Sequence, residues 1–298
     1  MKTQAVKADL LLLLTAAIWG FAFVAQRVGM DYVGPFTYNA VRFAIGSLSL
    51  LPLIAFLGRK QSAKTSVTTD GRSLLIGALI AGTVLFAGAS LQQAGLVYTT
   101  AGNAGFITGL YVVMVPLLGL FFHQRPGIGT WAGAVLAACG LYFLSVTESF
   151  TIARGDFLVL LSALFWAAHV LIIGWLSPKM NPLKLASAQF SVCALFSLIV
   201  ALAVETITFG GLWQALIPIL YGGLFSVGVA YTLQVVAQRH AHPAHSAILL
   251  SLEGVFAALG GWLLLQETLS LRSLFGCALM LGGMLLSELS GYLFSRKG

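Results

Sequence analysis

Charged side chains are scarce in this sequence: 8% of its 298 residues are Asp, Glu, Lys or Arg, against roughly 25% in an ordinary soluble domain. With 59% hydrophobic residues beside them, a water-soluble globule is excluded. Acids are scarcer than bases, nine against sixteen. The net charge of +7 does not mark a nucleic-acid partner, because the bases are spread through short segments between apolar runs rather than gathered into a stripe. Cysteine is nearly missing. Cys139, Cys193 and Cys277 each sit inside an apolar run, and an odd count without CxxC spacing argues against a disulfide framework or a metal site. There is no HExxH, GxSxG or paired-carboxylate metal pattern and no GxxxxGKS/T loop, so no such catalysis and no ATP drive is expected through this chain. No cofactor is expected.

Long apolar runs are what the sequence has instead. Windows of bilayer-spanning length fall near residues 9–29, 34–57, 73–96, 98–122, 128–147, 156–176, 184–205, 213–236, 244–265 and 271–294, since about 20 residues at ~1.5 Å rise cross the hydrocarbon core. The expected fold is therefore an all-α membrane bundle of ten helices. The N-terminal run, Lys2 and Lys7 followed by Leu10 to Leu14, lacks a clean small-residue cleavage site and is expected to be an uncleaved first helix. One longer polar loop, 58–72, interrupts the pattern. Placing the N-terminus inside puts twelve bases in the cytoplasm: Lys2, Lys7, Arg59, Lys60, Lys64, Arg72, Arg125, Lys179, Lys184, Arg239, Arg296 and Lys297. Arg27, Arg154 and Arg272 face the other side. By the positive-inside rule, both termini are cytoplasmic and the protein is a multi-pass inner-membrane protein.

The chain repeats itself. Asp9, Trp19 and Pro35 recur 147 residues later as Asp156, Trp166 and Pro182, and Ala101, Gly133 and Gly140 recur 143 later as Ala244, Gly276 and Gly283. Each half, 1–147 and 148–298, then holds five spans. Five is odd, so the second half is inverted relative to the first, the build of many secondary transporters, with the site near the midplane.

Several phrases resemble the EamA-type members of the drug/metabolite transporter superfamily: Gly34-Pro35-Phe36-Thr37, Val41-Arg42-Phe43, and the stretch from Ser251 to Leu259 with Gln266-Glu267 beyond it. The Gly276 and Gly283 spacing agrees. The resemblance covers both halves and implies ten helices, cytoplasmic termini, spans 1, 3, 4, 6, 8 and 9 around a cavity, and spans 5 and 10 at the edge. It departs at Gly254, where a proline is usual and the kink is expected to be softer, and at His123-Gln124-Arg125, where Gly-Glu is common.

Counting along each span places Trp19, Thr108, Tyr111, Trp166, His169 and Glu253 near the midplane as the candidate substrate-binding set. Glu253 is the deepest acid, and an ionised group there costs roughly 2.5–3.5 kcal/mol on insertion scales, so it faces the bundle interior. Its roles are to carry a proton or hold a ligand amine, or alternatively to brace the ninth span. Trp19 and Trp166 are candidate aromatic walls or plain packing. His169 is a candidate proton carrier or a hydrogen-bonded core residue. Thr108 and Tyr111 share a face, and Pro116 frees a carbonyl on the same span. Gln92, Gln93 and Asn103 fall toward the outer end and Gln234 and Ser246 toward the inner end, as candidate gate or cavity residues or as groups that hydrogen-bond helix to helix. Arg42, a further gate or cavity candidate, lies ~12 Å inside the second span, where snorkelling outward or pairing with Asp31 is preferred to binding substrate. Glu288 reads as an interface residue.

The leading expectation is a secondary or facilitative transporter, an exporter of a small organic metabolite such as an amino acid, working by alternating access, with the lipid bilayer and the substrate as its partners and proton coupling through a buried titratable group. The competing reading is a polytopic membrane enzyme acting on a lipid or lipid-linked substrate. The sequence leaves the oligomeric state open.

Overall fold

The computed structural model describes residues 2–60, 70–122, 127–145, 152–241 and 243–294. Residues 61–69 of the 58–72 loop, the His123-Gln124-Arg125 departure and the charges Lys64, Arg296 and Lys297 lie outside the described residues, as does the side chain of Glu288. Every described element is helical: α1 (Lys2–Gly29), α2 (Pro35–Lys60), α3 (Gly71–Leu96), α4 (Ala101–Gly109), α5 (Tyr111–Gly119), α6 (Ile128–Ser145), α7 (Arg154–Leu176), α8 (Pro182–Val204), α9 (Phe209–Gln214), α10 (Leu216–Leu220), a π-helix (Tyr221–Tyr231), α11 (Thr232–Ala237), α12 (Pro243–Ser251), α13 (Glu253–Leu265) and α14 (Leu271–Phe294). A single 3₁₀ turn, Leu120–Phe122, follows α5.

Eight helical stretches are long and apolar enough to cross a bilayer, and two further apolar stretches, 131–144 and 271–286, are shorter. Phe121, Phe209 and Leu271 stand 80%, 81% and 86% exposed, while Gln93, Gln189 and Ser246 are wholly buried. That is the pattern of a lipid-facing apolar rim around a core that is itself apolar but holds a set of polar side chains.

The α-helical hydrogen-bond pattern lapses for one residue at Leu110, between α4 and α5, and at Leu252, between α12 and α13, and both residues keep helical dihedrals. The fourth and ninth spans run on as helices across these points. The lapse at Leu252 falls just before Glu253 and Gly254, where a softer kink is expected. In the fourth span the lapse falls at Leu110, not at Pro116, which is accommodated inside α5. Close packing explains the neighbourhood: a Cβ on Gly105 would collide with that of Ala257, one on Gly254 would lie 3.1 Å from the Gly105 carbonyl oxygen, and one on Gly20 would strike Phe256. Glycine lets α1 and α4 approach the first turn of α13 backbone to backbone.

The interhelix ends are tied by carboxylates. Glu205 accepts hydrogen bonds from the Phe36 and Thr37 amides at the start of α2, at 2.9 and 2.7 Å, and from the Thr37 hydroxyl at 2.6 Å. Glu267 does the same for α4, accepting from the Ala101 and Gly102 amides at 2.9 and 3.1 Å. Helix N-termini carry unsatisfied N–H groups and a partial positive charge, which these carboxylates meet. Gln266, at φ 55°, turns the chain to put Glu267 there. At the bundle's edge α6 packs chiefly against α14, with a Cβ on Gly140 blocked by the Gly276 carbonyl and one on Gly133's partner, Gly283, blocked by the Gly133 carbonyl. The four glycines picked out by the repeat thus form one antiparallel seam.

Candidate functional site

The residues singled out for mid-depth come together. Trp19 on α1, Thr108 on α4, Tyr111 on α5, Trp166 and His169 on α7 and Glu253 on α13 line one cavity. Phe23, Gln26, Arg42, Gln92, Ser226, Tyr231 and Gln234 complete most of its wall. Its free volume is about 30 Å³, room for a water or two, so an organic solute enters only when helices part.

Tyr231, which the sequence did not single out, is the centre of the aromatic lining. Its ring lies 4.5 Å from Trp19, 6.1 Å from Trp166, 6.3 Å from His169, 6.0 Å from Phe43 and 5.9 Å from Phe190. It closes the π-helix, an element frequent at functional sites, and the same element hands the Ser226 carbonyl to the Trp19 indole N–H at 3.2 Å. An amide layer lies above. Gln92 accepts from the Trp166 indole at 2.8 Å and from the Thr108 hydroxyl at 3.4 Å, and it donates to Oε1 of Gln26 at 3.1 Å. Gln93 donates to the Gln26 carbonyl at 3.1 Å.

Past that layer the bundle opens. A vestibule of about 640 Å³ is lined by Arg27, Asp31, Tyr98, Thr99, Asn103, Asp156, Leu265 and Glu267 among others. These are the last residues of α1, α3 and α13 and the first of α4 and α7, so α1 and α7 run in opposite directions. The opposite end is sealed. His245 and Asp9 pair at 2.8 Å, Gln238 donates to the Val170 carbonyl at 3.1 Å, and Pro243 fills the space that a Cβ on Gly174 would take.

Of the gate or cavity candidates, Asn103 lies in the vestibule, and Gln92, Gln234 and Arg42 line the central cavity itself. Gln93 is buried within the amide layer, and Ser246 is buried with an unpartnered hydroxyl near the sealed end. The preferred pairing of Arg42 with Asp31 is wrong. Asp31 pairs with Arg27 at 2.9 Å, and Arg42, 2% exposed, turns inward onto the cavity. Its Nε donates to Asn39 at 2.9 Å and its guanidinium stacks 4.7 Å over Phe43 and 5.6 Å over Tyr38. Three aromatic and amide neighbours on its own helix hold it there. His169 is buried and bonded to Gln189 across 2.9 Å while still facing the cavity. Glu253, 4% exposed, has the Tyr111 hydroxyl beside it, and that hydroxyl completes no well-aligned hydrogen bond. The cavity-facing second span, through Arg42, adds to the six spans expected from the resemblance.

Comparison with known proteins identifies the family. Residues 6–146 and again 153–289 match the EamA-like transporter family. An uncharacterized transporter of Archaeoglobus fulgidus is 36% identical over 284 residues, covering 95% of this chain and 86% of its own. The transporter YoaV of Bacillus subtilis is 22% identical, covering 98% and 99%, and the inner membrane transporter YedA of Escherichia coli K12 is 24% identical, covering 94% and 90%. A solved crystal structure shares the fold, with a TM-score of 0.74 at 17% identity over 98% of this chain and 99% of its own. The chain is a multi-pass membrane protein, a transporter rather than an enzyme, and it belongs to the EamA-like transporter family.

Proposed function

We propose that this chain is a secondary transporter that exports a small organic metabolite across the cytoplasmic membrane by alternating access, its repeats 1–147 and 148–298 being inverted copies that exchange roles. The observation that carries the reading is one polar cavity at mid-depth, walled by both halves, sealed at the Asp9 end and separated from an open vestibule by the Gln26–Gln92–Gln93 layer. Opposed α1 and α7, and lapses in the helical hydrogen-bond pattern at Leu110 and Leu252, 142 residues apart, support inversion and supply hinges on both sides of the cavity. With both termini cytoplasmic, the vestibule faces outward and the sealed end inward.

In the cycle, opening of the Asp9 end parts α1 from α12, admits solute, and closes the amide layer's side; the return reverses both. Glu253 takes part either by exchanging a proton or by holding the solute's cationic group, since its carboxylate has no basic partner within ion-pair distance among the described residues. The test is flux. Liposomes holding only this protein are loaded with a mixture of amino acids, nucleosides and sugars, and release is followed by mass spectrometry. At least one solute should leave faster than from protein-free liposomes, at a rate that saturates, and the labelled orientation gives the direction. Release of every solute at the protein-free rate would overturn the reading.

A further inference from the structure

Helices α2 and α8 run antiparallel, tied at two places. Glu205, just past α8, accepts from the Thr37 amide at 2.7 Å. Farther along, Ser47 donates to the Ser187 carbonyl at 2.9 Å, beside the Phe43 and Phe190 rings, which lie 6.2 Å apart. Between these contacts the seam is polar. Asn39 and Arg42 stand one turn apart on α2, and Cys193 and Ser197 one turn apart on α8. The register set by the two ties puts the second pair across from the first, and Cys193 neighbours Arg42. Asn39 and Ser197 are wholly buried and Arg42 is 2% exposed.

Three polar atoms of this seam have no hydrogen-bond partner: Asn39 Nδ2, Arg42 Nη2 and the Ser197 hydroxyl. The Asn39 amide cannot be turned round to relieve this. Its Oδ1 accepts from Arg42 Nε at 2.9 Å, and the reverse orientation would set donor against donor. Nor is the guanidinium charge met by an acid. The ion pairs among the described residues are Arg27 with Asp31 and His245 with Asp9, and the neighbours of Arg42 are an amide, a thiol and the Tyr38 and Phe43 rings. The seam thus holds one full positive charge and a surplus of donors, and a buried charge persists in a membrane bundle only with a partner.

We propose that this seam, where Arg42 reaches the central cavity, binds one chloride ion, held by Arg42 Nη2, Asn39 Nδ2 and the Ser197 hydroxyl. A water would accept from two of these groups, but it brings two hydrogens of its own and leaves the charge unmet. A monatomic anion only accepts, from several directions at once, and neutralises the guanidinium. Size points the same way: the free space beside Arg42 is about 30 Å³, which suits a particle of about water size and not a carboxylate with a carbon body. The ion belongs to the protein rather than to the solute. It holds Arg42 inward and α2 against α8, and a chain that transported nothing would still bind it.

The test uses the full chain in detergent, dialysed into sodium gluconate and titrated with sodium chloride at constant ionic strength. The melting temperature should rise saturably, by about 5 °C or more at high occupancy. Bromide should replace chloride, and sulfate and acetate should not. Asn39→Leu should raise the half-saturating chloride concentration about tenfold, the scale of one lost hydrogen bond to a charged group, and Arg42→Gln should abolish the chloride-dependent rise. Crystals grown in sodium bromide give a readout that needs no variant, and they decide the matter if Arg42→Gln does not fold: an anomalous difference peak should lie against Arg42, Asn39 and Ser197. Equal melting temperatures in chloride and gluconate would overturn the proposal, as would a chloride-dependent rise that persists in folded Arg42→Gln, or bromide crystals with no peak at this seam. Stabilisation by acetate and not by chloride would assign the seam to a carboxylate and overturn it equally.

Discussion

The indole N–H of Trp166 donates to Oε1 of Gln92 across 2.8 Å. Through that one amide, which also meets Thr108 and Gln26, α1, α3, α4 and α7 are joined between the cavity and the vestibule. Gln92→Leu keeps the bulk and removes the amide. The Trp166 N–H and the Gln26 oxygen then lose their partner in a buried layer, at a cost of about 1–3 kcal/mol. The melting temperature of the purified protein should fall by about 2–4 °C for each kcal/mol lost, and a cysteine at Thr108 should react faster with thiol reagents from the vestibule side. An unchanged melting temperature together with unchanged reactivity would show that the layer does not hold this end together.

Trp19 and Trp166 differ in what they offer a ligand. Trp19 is half-buried, with its N–H on the Ser226 carbonyl, whereas Trp166 is 7% exposed and fixed by Gln92. Trp19→Ala should weaken ligand binding by about 1–3 kcal/mol, the scale of a lost buried aromatic contact, and ligand should change the indole emission of the parent. Fluorescence titration measures both. Equal affinity in folded Trp19→Ala and Trp166→Ala proteins would return the two residues to packing.

Glu267 clamps the start of α4, whereas Glu253 is proposed to act in the transport cycle, and the two separate by assay. Glu267→Ala removes two charge-assisted hydrogen bonds from the first turn of α4, which should cost about 1–3 kcal/mol and lower the melting temperature. Glu253→Gln removes a charge with no ionic partner, so expression and melting should stay near the parent's while transport is abolished or loses its pH dependence. Transport by Glu253→Gln that matches the parent from about pH 5.5 to about pH 8, the window in which proton-coupled groups ordinarily act, would make that carboxylate structural.

The sequence exposed the cavity wherever a polar residue interrupts an apolar span. Thr108, His169 and Glu253 stand out for that reason, and the repeat brought Trp19 and Trp166 with them. Tyr231 carried no such signal, because an aromatic ring in a membrane span is ordinary and its five ring neighbours come from other helices. Gln26 was not singled out, because its role shows only in the bonds that Gln92 and Gln93 make to it. Arg42 was misplaced because depth alone cannot show which way a side chain turns, and here Asn39 three residues earlier, with the Tyr38 and Phe43 rings, directs it inward. The lapses fall at Leu110 and Leu252, good helix formers with no local signal, amid backbone contacts made through Gly20, Gly105 and Gly254. The family phrases around Gly34 and Glu267 turn out to be helix-end clamps, Gly34 leaving space for the Glu205 carboxyl.

Orientation is tested apart from chemistry. Cysteines placed at Thr65, Phe150 and Gly298 should be labelled by an impermeant maleimide from the cytoplasmic, external and cytoplasmic sides respectively, following the twelve-to-three excess of bases under the positive-inside rule. External labelling at Gly298 would break the even number of crossings.

Alternating access is tested most directly at Thr108, which lines the closed cavity. In protein whose native Cys139, Cys193 and Cys277 are replaced, Thr108→Cys is combined with a cysteine pair in place of Asp9 and His245, which meet at the sealed end, bridged by a short bifunctional thiol reagent. Unbridged protein should be labelled at position 108 from both faces of the membrane. Bridged protein should be labelled from the vestibule face only. Labelling of unbridged protein from a single face, or labelling from the Asp9 side that survives bridging, would contradict a cavity that opens to each side in turn.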